Sequence, residues 1–312
     1  MITTILNGLL PVAFVVALGW VSGRFGILKH ADAGVIATYV IRFALPFSLF
    51  EGARSTPPGQ LLNFGLMATL ALGIVGTFVL ALALGKYVFG HDLKTAAIQA
   101  LVCSFPDMAY FAAPVLSALY GPSGFLAILL GNLVVMIILL PATIILTHIS
   151  DAHAGDDGKS AIVLSSVLSA VNNPIVWLPV LGVLLSLTHV TLPSPLGLSV
   201  ETVAKSAGGT SLFALGLMLY GEPIRLNANV FANIAVKNLV QPLLVLGGAL
   251  IFALPQYISQ QAILTAAAPS ATAASMFALK SEVYTADATS TVFISTVLAI
   301  VTEAILIAVL RT

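Results

Sequence analysis

Charge is scarce in this sequence. Twelve basic and twelve acidic side chains make up 8% of its 312 residues, where a soluble domain of this size carries about 25%. So few charges cannot solvate a globular surface, which excludes an ordinary soluble enzyme. The two signs cancel, so no polyanionic partner such as nucleic acid is indicated. Cys103 is the single cysteine, which excludes a disulfide framework and a cysteine-built metal site. The chain also lacks a Gly-rich loop ending in Lys-Ser/Thr, a Gly-x-Ser-x-Gly elbow and a His-Glu-x-x-His helix. ATP-driven transport and the usual intramembrane hydrolases therefore have no support, and neither an enzyme nor a cofactor is expected. The five histidines lie in or beside loops; His148 and His153 with Asp151, Asp156 and Asp157 read as a solvated loop, so no metal site is assigned.

Apolar residues fill the space that charge leaves. They make up 59% of the chain, and the mean hydropathy is +1.08. A membrane span needs about 20 predominantly apolar residues. On that basis ten spans are expected, at 3–23, 33–50, 61–89, 95–120, 124–147, 160–188, 198–220, 229–253, 258–280 and 288–310. They make an all-α polytopic membrane protein. Turns such as Thr56-Pro57-Pro58-Gly59 and Gly121-Pro122-Ser123-Gly124 separate them, and Ser150–Ser160 is the one hydrophilic stretch. The apolar N-terminus lacks a basic n-region and a small-x-small cleavage site, so the first span is read as retained rather than as a signal peptide.

Basic residues orient the spans. Arg24, Lys29, Lys86, Lys94, Lys159, Arg225 and Lys280 follow odd-numbered spans, whereas the even-numbered loops and the termini hold Arg54 and Arg311. Seven against two places the odd loops in the cytoplasm and both termini outside it, in the cell's inner (plasma) membrane.

Five spans on either side of the hydrophilic stretch give two halves, 1–150 and 160–312. Because five is odd, the second half enters from the opposite side, an inverted repeat. The residues carry the repeat at a separation of 163: Pro11 with Pro174, Arg42 with Lys205, Ser48-Leu49-Phe50 with Ser211-Leu212-Phe213, and Pro106 with Pro269. Tyr120 and Tyr284 match after a slip of one residue. A proline inside a span removes an internal hydrogen bond and frees a carbonyl, tolerated at membrane depth only where it packs in protein or lines a polar cavity. Paired breaks in spans four and nine therefore point to a transport site. Their flanks, Cys103-Ser104-Phe105-Pro106-Asp107 and Ala267-Ala268-Pro269-Ser270-Ala271-Thr272, are small or hydroxylated enough for close crossing.

The run Ser-Phe-Pro-Asp-Met-Ala-Tyr-Phe-Ala-Ala-Pro-Val-Leu at 104–116, with Tyr120-Gly121, resembles the auxin efflux carrier family. So do Asn173-Pro174-Ile175-Val176-Trp177, Pro179-Val180-Leu181-Gly182, Lys237-Asn238-Leu239-Val240-Gln241-Pro242 and Ala214-Leu215-Gly216-Leu217. Bacterial members look like carriers of organic acids such as malonate and malate, and plant PIN-FORMED members export auxin. The resemblance implies a 5+5 fold akin to bile-acid symporters and sodium–proton antiporters, with helices 4 and 9 crossing at Pro106 and Pro269. Helices 3–5 and 8–10 would form a moving transport domain. Helices 1, 2, 6 and 7 would form a scaffold that dimerises, with Ala44, Leu49, Phe213 and Leu217 as candidate contacts. The long cytosolic loop of plant members is short here, so their phosphoregulation does not carry over.

Ionisable and polar side chains in the spans then supply the candidate site, since each charged one costs about 2.5–3.5 kcal/mol to insert. Asp107 stands where the family commonly has Asn; it serves a substrate or coupling cation, or caps a broken helix. Lys237 neutralises Asp107, attracts an anion, or snorkels to the headgroups. Arg42 and Lys205 offer charge from each repeat or pair with Glu51 and Glu201, and Glu303 is read as structural. Substrate-binding candidates are Ser48, Ser104, Pro106, Asp107, Asn132, Ser211, Pro269 and Ser270; coupling or charge-compensating ones are Asp107, Lys237 and Gln241. Asn173, before Pro174, is assigned to helix geometry. The expected function is secondary transport of a small carboxylate anion by elevator-type alternating access. Open beside it stand a proton- or sodium-coupled symporter or exchanger with Asp107 as cation site, and a membrane receptor or enzyme using the same pocket.

Overall fold

The computed structural model describes residues 14–55, 58, 63–120, 125–152, 172–221 and 224–310. Residues 3–13 of the first expected span, 160–171 of the sixth, and His153, Asp156, Asp157 and Lys159 lie outside the described residues. The described chain is helical, with no strand beyond one isolated two-residue bridge.

The helices are α1 (Phe14–Arg24), α2 (Asp32–Ser55), α3 (Phe64–Val88), α4 (Leu93–Ser104), α5 (108–120), α6 (Leu126–Asp151), α7 (Pro174–Leu187), α8 (Ser194–Gly221), α9 (Ala228–Ile251), α10 (Gln256–Ala267), α11 (Thr272–Lys280) and α12 (Thr285–Leu310). Among them α2, α3, α6 and α9 are each long and apolar enough to cross a membrane. Local chemistry sets the ends. Asp92 and Asn227 accept from the Thr95 and Val230 amides at the starts of α4 and α9, and Asn63 accepts from Leu66 at the start of α3. Asn173 caps α7 with Pro174 in the first helical position, where a missing N–H costs nothing.

Moved by 163 residues, α4 falls on 256–267, the bounds of α10, and α3 falls on 227–251 against Ala228–Ile251. α4 ends before Pro106 and α10 before Pro269, and α5 and α11 begin after them. Proline explains both gaps. It cannot donate to the helix ladder and it pushes the residue before it out of the helical region. Phe105 and Ala268, each preceding a proline, have ψ of 102° and 146°.

Close helix contacts rely on glycine. A Cβ on Gly216 of α8 would run into the Val16 carbonyl oxygen of α1, and one on Gly19 would run into that of Phe213. Without a hydrophobic effect to drive association, helices in lipid gain by such approach. Ala44, Leu49 and Leu217, expected at a dimer contact, are instead buried within the chain. The apolar side chains that α2 exposes are Val35, Tyr39 and Phe43.

Gly216→Ala should lower thermal stability in detergent by about 1–3 kcal/mol, the cost of overpacking, because its neighbour is rigid backbone. Gly209→Ala, whose Cβ would meet nothing within 4 Å, should be neutral or slightly stabilising. Equal melting temperatures for the two variants would refute the close α1–α8 packing.

Candidate functional site at the helix crossover

The extended residues of the two breaks pair with each other. The Asp107 amide donates to the Pro269 carbonyl and the Ala271 amide to the Phe105 carbonyl, both at 2.8 Å. Together they form an antiparallel bridge between Pro106 and Ser270. The prolines, 163 residues apart in sequence, are thus neighbours in space. Four helix ends meet here, and they differ in polarity. The N-termini of α5 and α11 bring amides without intrahelical partners and a partial positive charge. The C-termini of α4 and α10 bring free carbonyls and a partial negative charge.

Lys237 and Gln241 answer the carbonyl ends. Lys237, fully buried, donates from Nζ to the Ala266 carbonyl at 2.8 Å and to Gln241 Oε1. Gln241 Nε2 donates to the Ser104 carbonyl at 2.8 Å. One lysine–glutamine pair therefore holds both broken helices. The headgroup-seeking lysine of the sequence reading is corrected: Lys237 points inward, where the Ala266 carbonyl at the end of α10 and the Gln241 side-chain oxygen repay its desolvation. A π-helical turn at Val236–Val240 carries it; such turns recur at functional positions.

The amide ends face a cavity of about 80 Å³. Pro106, Asp107 and Met108 line it from one break, Ala271, Thr272 and Ala273 from the other. Ser48 of α2, Ser211 of α8 and Asn132 of α6 complete the polar lining. Sequence candidates Ser48, Pro106, Asp107, Asn132 and Ser211 thus meet around one space, while Ser104, Pro269 and Ser270 belong to the breaks without lining it. The Ser104 and Ser211 hydroxyls donate at 2.6 Å to the carbonyls of Ala100 and Ala207, four residues back. Ser270 donates its amide to Ser295 Oγ at 3.2 Å, and its own hydroxyl has no partner among the described residues. Neither a metal-sized cluster of His, Cys, Asp and Glu nor a strand-borne site exists among the described residues.

A second cavity, of about 730 Å³, follows the same helices further along. Its cationic side chains are Arg42 of α2, Lys94 of α4, and Lys280 at the end of α11, with His148 of α6 beside them. Lys94 pairs with Asp151 at 3.0 Å. Arg42 and Ser48, both on α2, lie about 9 Å apart along the axis by helical rise.

A family model described as membrane transport protein matches residues 4–307. The chain belongs to that family, the auxin efflux carriers. It is 28% identical over its full length to "Uncharacterized transporter YfdV" of Escherichia coli (strain K12), covering 99% of that protein. It is 24% identical, over 97% of this chain and 94% of the other, to "Putative malonate transporter" of Rhizobium meliloti (strain 1021). A 24% match over 78% of the chain joins it to 29% of "Lysosomal cholesterol signaling protein" of Mus musculus.

Two other sequence expectations resolve in this transporter. Lys205 pairs with Glu201 at 2.6 Å, whereas Glu51 pairs with Arg54 at 2.6 Å and leaves Arg42 on the larger cavity. Sequence reasoning missed a buried amide network. Asn233 of α9 accepts from Gln99 Nε2 at 2.9 Å and from Cys103 Sγ at 3.3 Å. It donates to the Tyr284 hydroxyl at 2.9 Å and Thr291 Oγ1 at 3.0 Å. Tyr284 sits in the turn before α12, and burial pushes its phenol well above the usual range, so it stays a neutral hydroxyl. The available signal was spacing: Asn233, Lys237 and Gln241 recur every four residues on one face of α9.

Lys237→Met should destabilise the protein by about 1–3 kcal/mol for each acceptor left unsatisfied, read as a lower midpoint of thermal unfolding. Gln241→Leu should act in the same direction through the Ser104 carbonyl. Unchanged midpoints in both would show that these bonds do not hold the crossover.

Proposed function

We propose that this transporter carries small organic carboxylates as a secondary carrier, by elevator-type alternating access. The observation that supports this most strongly is the convergence of two half-helix N-termini with Ser48, Asn132, Ser211 and Thr272 on one small cavity. Helix N-termini are ready-made anion sites, and a cavity of about 80 Å³ suits a ligand of few atoms, well below the 300–1,000 Å³ of drug-sized pockets. The named relative from Rhizobium meliloti points to malonate as the first substrate to try, with malate and auxin-like acids after it.

In this reading the chain is a ten-span inverted repeat of 5+5, with 1–150 and 160–312 as its halves. Antiparallel pairing of equivalent breaks is what a two-fold axis in the membrane plane produces. The cavity takes Ser48 and Ser211 from the scaffold helices, Asp107, Asn132 and Thr272 from the moving ones, so sliding between the two sets opens and closes it. The larger cavity, with Arg42, Lys94 and Lys280, is its cytoplasmic mouth, collecting anions by charge. The protein sits in the inner membrane with both termini outside the cytoplasm and dimerises through the exposed face of α2.

Asp107 sets the affinity. It lies where the anion docks, and an ionised carboxylate there repels it, so binding should strengthen as pH falls. Asp107→Asn keeps the hydrogen-bonding shape without the charge and should tighten malonate binding at neutral pH by about tenfold or more, or roughly 1.4 kcal/mol. Asp107→Ala should lose binding. Titration calorimetry alongside labelled-malonate counterflow in proteoliposomes checks both. Weaker binding in Asp107→Asn would assign Asp107 to a cation that the anion needs, the coupled-symporter reading.

A further inference from the structure

Among the described residues, four side chains of charged type are buried: Asp107, Lys237, Asp287 and Glu303. Asp287 is accounted for by Asn227 at 3.0 Å and Arg225 at 3.7 Å near the start of α12. Of the other three, Asp107 lies in the break between α4 and α5, Lys237 on α9 and Glu303 on α12. Asp107 faces the cavity and Lys237 holds the helix breaks, but Glu303 has no task in either. It is 3% exposed, both its carboxyl oxygens are buried, and neither has a hydrogen-bond partner among the described residues. It lies on neither cavity lining.

α12, which carries Glu303, packs against the π-helical turn Val236–Val240 that carries Lys237, and Asn238 of that turn donates to the Ser295 carbonyl of α12 at 3.5 Å. Other ionisable groups on helices packed against α12 are engaged elsewhere. Lys94 and Lys280 line the larger cavity, Glu201 and Lys205 pair with each other, and the rings of Tyr220 and Tyr257 meet Trp20 and Tyr120 edge to face. With Lys237 cationic and both carboxyls ionised, the interior holds one negative charge too many. An unpaired buried charge costs far more than a neutral polar group left without a partner. One proton restores neutrality. Asp107 lies on a cavity that water and substrate enter, so the proton belongs on the dry carboxyl of Glu303.

We propose that Glu303 is the proton site of this carrier, remote from the substrate cavity and linked to it through Lys237. The inference rests on the carrier reading above and adds its coupling ion. A proton taken from one side adds to the Glu303 carboxylate to give the neutral acid, and its release to the other side regenerates the carboxylate. In the neutral state the ammonium stays on Gln241 and the Ala266 carbonyl and the crossover is clamped. When the proton leaves, the new carboxylate competes for the same ammonium and loosens the hold on α10. Proton occupancy thereby biases the element that must move, which is what coupling requires.

The test uses full-length protein in proteoliposomes containing a trapped pH dye and labelled malonate. In wild type, a pH gradient should drive malonate uptake against its own gradient, with dye-reported proton movement. Glu303→Gln, fixed in the neutral, clamped state, should lose both and slow malonate exchange while binding malonate with wild-type affinity, because residue 303 lies on neither cavity. Glu303→Asp, which keeps a titratable acid, should retain coupling. Coupled proton movement in Glu303→Gln, or uptake driven by sodium without a pH gradient, would overturn the proposal. Infrared difference spectra of detergent-solubilised protein supply a readout that needs no transport. A protonated-carboxyl band at neutral pH should be present in wild type and absent in Glu303→Gln. If wild type exchanges no carboxylate, the carrier reading fails, and this band alone decides whether Glu303 holds a proton; its absence from wild type overturns the assignment.

Discussion

The structure depends on one lysine–glutamine pair, in which Lys237 holds the end of α10 and Gln241 the end of α4. Two prolines interrupt helical hydrogen-bond ladders in the buried interior, where the groups they free need partners from the protein itself. The breaks then bond to one another through Asp107 with Pro269 and Ala271 with Phe105, and Lys237 with Gln241 takes the carbonyls that remain. Each part needs the others: a buried ammonium without those carbonyls, or those carbonyls without it, would carry a large desolvation cost. The helix ends arranged in this way have their negative poles toward Lys237 and their positive poles toward the cavity.

That polarity separates two tasks. On the amide side, small and hydroxyl side chains leave room for a ligand and present donors to it. On the carbonyl side the packing is tight, and the Lys237 and Gln241 side chains take the place of solvent. Asp107 belongs to the first side, and Lys237, fully buried, to the second.

The helices that close the site obey a simpler rule. Apolar surface gives no driving force for packing in lipid, so backbone approach matters more. Gly19 and Gly216 let α1 and α8 meet at carbonyl distance. The Asn233 network, which ties α4, α9 and α12 together, plays the polar counterpart. Between these fixed contacts lies the cavity, lined from both helix sets.

Much of this protein was legible in its residues. Scarce charge and long apolar runs gave a polytopic membrane chain. Pro106 and Pro269 marked where α4 and α10 stop, because a missing N–H acts locally wherever it occurs. Asn173 with Pro174 gave the start of α7 for the same local reason. Partners were another matter. Lys237 read equally well as a surface-seeking side chain, Glu303 read as structural, and Ala44, Leu49 and Leu217 read as dimer contacts until burial placed them inside. Which carbonyl a buried ammonium finds, and which carboxyl it leaves unanswered, depends on residues dozens to more than a hundred positions away. Only the packed tertiary structure brings them within hydrogen-bond or electrostatic range.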